Sequence, residues 1–555
     1  MRRGAERRAA RGAGDGRVHG TPRAVGSVRG AGDGAPSSRS AGRRDRRRAS
    51  ETTVGTAGSG AVTVRAGDNS SASRLTVLQK GRLVSGRVTT GLRVVRLLGE
   101  RPDPTAPLGV GALAAELGAP LSSVSRLCAE LERTGLIERG ADYGSYRLGA
   151  VAVRLSGRAA APVARSLRFA LTLAAQQTGE TVVLAAGAPG SMRVIGSVLS
   201  SWTLHSPAAV GERIDDPGSA IARAADPMGL GDETVAETTE GLRVEIATPL
   251  LTPAGECAAV LAVRLPTVRL RENGPRIRRA LAVARRSIEA GLDGSREAGA
   301  GRDTADGDDP TISAAPPAGG SALHAVLPLL QHLADGPDTA AGAARATGLR
   351  RDRTGRLLDA CVAAGVVERG GDGELRIAWV VHGWFRAAAA PLIVSRGGPL
   401  VAEAARSLRA CAFVTVLAGM RSLTLVEELE LAGDGLAMIP WLGRAHPIVG
   451  SDGGPTMLMD LEPVELTQLF PARHTPRELA RFLRRMQTVR RDGVLSMQAY
   501  DDAGMVSISA PIRDASGAVV AAACLVGMTD DVTARSRELE RAAIRLAEAV
   551  SGVLR

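Results

Sequence analysis

Ser122, Ser123, Ser125 and Arg126 put three hydroxyls and a guanidinium within five residues, and these are groups that hydrogen-bond phosphates and base edges of nucleic acid. They stand in "APLSSVSRLCAELERTG", where Val124, Leu127, Cys128 and Leu131 recur at i, i+3, i+4 and i+7. That spacing predicts a helix whose apolar stripe leaves the four polar groups outside it. A near-copy stands 230 residues on, "RDRTGRLLDACVAAGVVERG", in which Arg356 matches Arg126, Leu357 matches Leu127, Gly365 matches Gly135 and "VERG" matches "IERG". Its off-stripe positions are Arg350, Arg351, Arg353 and Arg356, with Asp352 and Asp359 diluting the charge. Guanidinium groups without hydroxyls suit phosphate contacts, which raise affinity without reading sequence.

Other chemistries find no matching pattern. The seven histidines form no metal spacing, and none stands beside a nucleophile motif. The five cysteines lack CxxC spacing, and Cys128, Cys361 and Cys524 fall in apolar runs as small core residues do. Gly109, Gly111 and Ala114 satisfy a dinucleotide fingerprint, yet a Pro-rich segment precedes them where a strand is required. No P-loop, GxSxG or HExxH is present, so the expectation is a binding protein rather than an enzyme, with no cofactor and no metal.

The elements that must carry the polar positions come in the order helix, helix, helix, hairpin. "VTTGLRVVRLLGE" predicts the first helix, "GVGALAAELG" the second, and "LIERGADYGSYRLG" a two-stranded wing turning on glycines. This is the winged-helix order, in which the third helix enters the major groove and the wing meets adjacent backbone. Arg139, Tyr143, Tyr146 and Arg147 of that wing join the candidate DNA-contacting set. The second wing, "RGGDGELRI", is one residue shorter and lacks the tyrosines.

At 555 residues the chain is too long for one core. Residues 1–83 are Gly, Ala, Arg and Ser with few large apolar side chains, a composition expected to stay disordered. Residues 291–321, rich in Gly, Asp, Pro and Ala, read as a flexible linker. The remaining boundaries are 84–150 and 322–380 for the two winged helices, and 151–290 and 381–555 for the segments that follow each. The net charge of +12 is almost all arginine, Lys80 being the one lysine, as in proteins of GC-rich genomes such as those of actinobacteria. No apolar run approaches the ~20 residues of a membrane span, and residues 1–20 lack the apolar core of a secretory signal, so a cytoplasmic location is expected.

Taken with "LTLAAQQTGETVVLA", "GLRVEIATPLLTPAGECAAVLAV", "VGSDGGPTMLM" and "GMVSISAPIRDASGAVVAAACLVGM", the repeated segments resemble the isocitrate-lyase-regulator (IclR) family of bacterial transcription regulators. The resemblance implies an α+β fold with two winged helix-turn-helix domains, each followed by a GAF-like α/β effector domain. It also implies double-stranded DNA as partner, pairing through the DNA-binding domains, and a small-molecule effector pocket under loops at one end of the sheet. By position the pocket candidates are Gly450, Ser451, Met497, Ser507, Cys524 and Val526. Met497 stands where several members have a carboxylate, and Val526 replaces a small polar residue, which suits a more apolar ligand or none. The first effector domain lacks the helical insert present in the second as "LEPVELTQLFPARHTPRELARFLRRMQTVRRDG" and is expected to be shortened and structural. The expected function is a ligand-responsive transcription regulator whose two modules act as an intramolecular pseudo-dimer, or as a homo-oligomer. The alternative is a scaffold in which one or both winged helices no longer bind DNA.

Overall fold

A computed structural model of the chain describes residues 86–300 and 321–555, apart from 189, 232–233, 372, 431–436, 471 and 501–502, and for 293–300 the backbone alone. The expected tail at 1–83 lies outside these residues, as does most of the expected linker.

The first half opens with α1 (86–99), β1 (Leu108–Gly109), α2 (Val110–Leu117), α3 (Leu121–Thr134), β2 (Ile137–Arg139) and β3 (Ser145–Leu148). It continues through α4 (Ala150–Thr178), β4 (Thr181–Ala186), β5 (Met192–Val198), β6 (Arg213–Ile214), α5 (Ala220–Ala224), β7 (Ala236–Glu240), β8 (Arg243–Leu251), β9 (Cys257–Pro266) and α6 (Leu270–Ala300). The stripe residues Val124, Leu127, Cys128 and Leu131 are buried, and Gly135 ends α3 at φ 71°, a left-handed turn that glycine adopts without steric cost. The strand β1 pairs with β3, so the wing is a three-stranded sheet, and Gly109 begins a helix outside any βαβ unit.

The second half repeats the opening as α7 (Ala322–Asp335), α8 (Ala340–Thr347), α9 (Arg351–Ala364), β10 (Val367–Arg369) and β11 (Leu375–Ile377), with Gly365 closing α9 at φ 70°. Then come α10 (Trp384–Leu392), α11 (Gly398–Leu408), β12 (Cys411–Ala418), β13 (Arg421–Glu428), β14 (Ala445–Pro447), α12 (Gly454–Met457), α13 (Pro463–Leu469), α14 (Pro476–Asp492), β15 (Leu495–Gln498), β16 (Met505–Arg513), β17 (Val519–Met528), α15 (Thr529–Ala534) and α16 (Ser536–Leu554).

Each half carries one six-stranded antiparallel sheet, ordered β6-β5-β4-β9-β8-β7 in the first and β14-β13-β12-β17-β16-β15 in the second. The order is the same once strands are counted from the start of each sheet. One face of the first sheet packs against α4 and α6, burying Leu171, Leu184, Leu261 and Leu281 in a common core. Its other face is covered by α5. In the second sheet α11 and α16 take the first of these roles, and α12, α13 and α14 the second.

Two local features depart from expectation. The helix α6 runs to Ala300, so residues 291–300 are helical rather than the start of a flexible linker. Ile288 and Leu292 still pack on the first core, so the helix is underway when it reaches Gly291 and Gly294, and Arg296, Glu297 and Ala298 are residues that continue it at little cost. The helix α4 is continuous over 29 residues, whereas the matching stretch of the second half is interrupted between α10 and α11 by a π-helical turn, Ile393–Gly397.

Candidate nucleic-acid interface and sensor face

On α3 the residues Ser122, Ser123, Ser125 and Arg126 are exposed, and no side chain among the described residues hydrogen-bonds to them. The helix has no side-chain N-cap and no acidic residue in its first turn. Its leading N–H groups and the positive end of its dipole are therefore open to a phosphate. The helix α9 presents Arg350, Arg351, Arg353 and Arg356, also exposed and without an ion pair among the described residues. It too lacks a side-chain cap, but Asp352 sits in its first turn and opposes an anion there. Behind these positions Thr354 is fully buried with its hydroxyl unpartnered, where the first copy has Val124.

The wing divides the sequence-predicted residues. Tyr143 stands at its tip, wholly exposed. Tyr146 does not reach the surface: at 5% exposure it is part of the core, held in β3 between β1 and β2. This corrects the expectation that both tyrosines face DNA. Tyr143 is in the turn, while Tyr146 is an inward position of a strand, and alternation decides which way it points. Arg139 is exposed, pairs with Glu132 at 2.7 Å and lies 5.9 Å over the Tyr146 ring. Arg147 is half-buried and faces Glu138 at 3.3 Å, away from the wing tip. Glu138 also accepts from Arg396 at 2.8 Å, tying the first wing to the π-helical turn of the second half. Burial works to raise the Glu138 carboxyl, but these two arginines and the Ala150 N–H hold it below its ordinary value.

The two three-helix units pack on each other through α1. Thr89 Oγ1 donates to the Ala360 carbonyl at 3.3 Å, Arg93 to Ala363 at 3.4 Å and Arg96 to Ala364 at 2.8 Å. All three carbonyls belong to the last turns of α9, where a cation also complements the helix dipole. Gly91 and Gly99 leave room for Leu323 and the Trp384 indole, which a Cβ would meet at 2.8 and 2.7 Å. One apolar core runs through both units, joining Leu92, Val95 and Leu98 to Leu329, Leu358 and Trp384.

In the second sheet Met497, Ser507, Val526 and Cys411 form one row across β15, β16, β17 and β12. With Cys524 in the next row they face α12 to α14, and Phe413, Met457, Phe482 and Met486 pack on the same side. Gly450 and Ser451 lie in the loop before α12, where the Tyr500 ring is so near Gly450 that a Cβ would meet it at 2.7 Å. The six sequence-predicted positions are thus brought to one end of one sheet face. Sequence reasoning missed Thr415 and Tyr500. Thr415 pairs with Ala522 on this face, and its hydroxyl, like that of Ser507, is buried without a partner. Strand alternation from Cys411 and Phe413 was the signal that could have found it. The Cys524 thiol is fully buried, and burial raises its pKa well above the ordinary thiol value, which leaves it an inert core group. Among the described residues no group of three or more His, Cys, Asp or Glu side chains is placed to hold a metal. Nor is any helix among them long and apolar enough to cross a membrane.

Comparison with known proteins gives two family-model matches. Residues 88–141 match the IclR helix-turn-helix domain, and residues 391–552 match the bacterial transcriptional regulator IclR C-terminal domain. No curated protein matches the chain. Among solved structures, the Agrobacterium tumefaciens repressor BlcR is 24% identical, covering 42% of this chain and 96% of its own, at a TM-score of 0.30. A putative IclR-type regulator from Silicibacter sp. is 19% identical over 42% of this chain and 95% of its own, at 0.34. An IclR homologue from Microbacterium hydrocarbonoxydans, solved with 4-hydroxybenzoate, is 20% identical over 42% and 99%, at 0.27.

Proposed function

We propose, for a chain that belongs to the IclR family of bacterial transcription regulators and is not an enzyme, that its two halves are tandem copies of one regulator module acting as a pseudo-dimer on double-stranded DNA. The observation that carries the DNA-binding reading is the helix-turn-helix match over 88–141. It falls on α3, whose Ser122, Ser123, Ser125 and Arg126 are exposed and unpartnered among the described residues. The tandem reading is supported by the matching strand orders of the two sheets and by the two three-helix openings. The pseudo-dimer reading is supported by the packing of α1 on α9, which joins the two units within one chain. Two half-sites about one helical turn apart, ~34 Å, would then be read by a single chain. The α3 copy, with its wing residues Arg139 and Tyr143, serves base reading, while Arg350, Arg351, Arg353 and Arg356 of α9 serve phosphate contacts.

The C-terminal domain, a GAF-like fold in this reading, is the effector sensor. Its ligand would lie on the face lined by Gly450, Ser451, Met497, Ser507, Cys524 and Val526. A small molecule with an apolar body and one or two hydroxyl-seeking groups fits the buried Ser507 and Thr415 hydroxyls. Such a ligand shifts the equilibrium between reader arrangements only by its differential affinity for them. The same reading keeps the protein in the cytoplasm with its operator.

Titrating the protein against its own upstream intergenic DNA at two salt concentrations tests this. Arg126→Ala is expected to cost about 1–3 kcal/mol and relax sequence preference. Arg356→Ala is expected to weaken all sequences alike and to lower the salt slope by about one ion. Sedimentation of the complex should give one chain per operator. A stable dimer of chains through the first winged helix would remove the pseudo-dimer. An inert Arg356→Ala would leave the second unit as a scaffold, a reading that Asp352 at the start of α9 favours. Failure of every form to bind would end the regulator reading.

A further inference from the structure

The sensor face of the second half has a counterpart in the first, and the two are filled differently. Pro249 stands opposite Val260 in the first sheet as Pro511 stands opposite Ala522 in the second, which fixes the correspondence of strands. Counting four residues back from each proline, Glu245 takes the place of Ser507. Arg264, opposite Glu245, takes the place of Val526, opposite Ser507. The row completes itself with Thr238 in the place of Met497 and Thr181 in the place of Cys411. The loops before α5 and α12 correspond as well, since Ser219 Oγ donates to the Asp216 carbonyl as Ser451 Oγ donates to that of Ile448.

In the second sheet this row holds a buried hydroxyl, that of Ser507, with nothing to bond. In the first sheet the row is closed by charge. Glu245, 5% exposed, accepts from Arg264 Nε at 2.9 Å through one oxygen and from the Ile221 N–H at 3.0 Å through the other. Arg264, 3% exposed, also donates to Glu212 at 2.6 Å and to the Pro207 carbonyl at 3.4 Å. Glu212 in turn accepts from the Ala209 N–H at 3.2 Å. Burial opposes the charge on Arg264, but its hydrogen bonds to Glu212 and Glu245 outweigh that and raise its pKa.

A carboxylate fixed on one side by a buried guanidinium and on the other by a backbone N–H is the arrangement a protein uses to hold an anionic ligand. We propose that the first effector domain is a carboxylate-binding site permanently occupied by its own Glu245, which stands where the second domain has the buried, unbonded hydroxyl of Ser507. The proposal rests on the sensor reading of the second domain given above. What it adds is a chemistry, small carboxylate recognition by Arg264 and the Ile221 N–H, and a reason why the first domain needs no helical cap: nothing enters or leaves.

Chemical rescue tests it. Glu245→Ala removes the internal carboxylate and leaves Arg264 and the Ile221 N–H around a space the size of a small anion. The full chain carrying this substitution should melt below the wild type. Formate or acetate should then raise its melting temperature by a few degrees in a saturable way, beyond any effect of chloride at equal ionic strength. The wild type should show no such carboxylate-specific rise. If Glu245→Ala is recovered folded only when formate is present during purification, that dependence is itself the expected result. The double exchange Glu245→Ser with Arg264→Val installs the second domain's residues and removes the buried charge. It should melt above Glu245→Ala and ignore formate, because the buried pair is replaced together rather than broken, and Glu212, whose side chain is 33% exposed, keeps its solvation when Arg264 is gone. Equal responses of Glu245→Ala to formate and chloride, no response to either, or an equal response of the wild type would each overturn the proposal. DNA binding plays no part in the readout, so the regulator reading stands or falls separately.

Discussion

Tyr143 and Tyr146 are three residues apart in the chain and belong to different environments, one at the tip of a turn in solvent and the other inside a three-stranded wing. Truncating Tyr146 to alanine should destabilise the protein by about 3–5 kcal/mol, as the loss of a large buried ring does, and should free Arg139 from the ring beneath it. Truncating Tyr143 should leave denaturant midpoints unchanged and weaken only DNA binding. Parallel unfolding curves and DNA titrations of the two variants separate these roles. The hydroxyls and guanidinium of α3 were legible as surface because helical period 3.6 is robust over 14 residues. The wing is four residues or fewer per strand, too short for alternation to show which tyrosine turns inward.

Among the elements, α1 decides how the two three-helix units are joined. Its Gly99 faces the Trp384 indole at a distance no side chain tolerates, so Gly99→Leu should force the second half away. The expected cost is about 1–3 kcal/mol in chemical denaturation, accompanied by faster hydrogen exchange in the last turns of α9. Those turns lose protection because their carbonyls depend on Thr89, Arg93 and Arg96. The sequence placed α1, α3 and α9 correctly because each has its own apolar stripe, and α3 and α9 each end on a left-handed glycine, Gly135 and Gly365. It could not show that Gly91 and Gly99 serve a contact with residues more than 200 positions away, since no local pattern encodes a close approach. The overrun of α6 into the expected linker has the same character: composition argued for a coil, and a helix already underway prevailed.

At the scale of the whole molecule the halves meet across buried polar groups as well as apolar ones. Ser156 of α4 donates to the Val381 carbonyl at 2.5 Å and accepts from the Phe385 N–H at 3.1 Å. Between them His382 is buried, with Trp379 at 4.9 Å ring to ring and its Nδ1 unpartnered. Burial, with Arg386 and Arg376 nearby, pulls its pKa from 6.5 to about 3. The folded imidazole therefore stays neutral while the unfolded one takes a proton near pH 6.5. The unfolded state binds more protons between these values, so stability falls as pH drops below about 6.5, by up to ~1.4 kcal/mol per pH unit. Melting at pH 7.5 and pH 5 should differ by about 2 kcal/mol less in His382→Gln than in the wild type, the carboxylates contributing equally to both. An unchanged difference would mean that His382 is hydrated in the folded chain.

The sequence by itself determined the repeat, the two three-helix openings and the exposed polar faces of α3 and α9. These are set by local periodicity, by glycine stops and by the chain's own echo across 230 residues. Only the tertiary structure decided that Tyr146 is core, that α1 docks on α9, and that Glu245, Arg264 and Glu212 close the first sheet's row. Each of these depends on which strands and helices become neighbours. A glutamate in a strand and an arginine 19 residues later look like ordinary surface charges until antiparallel pairing sets them opposite each other and the fold excludes water from both.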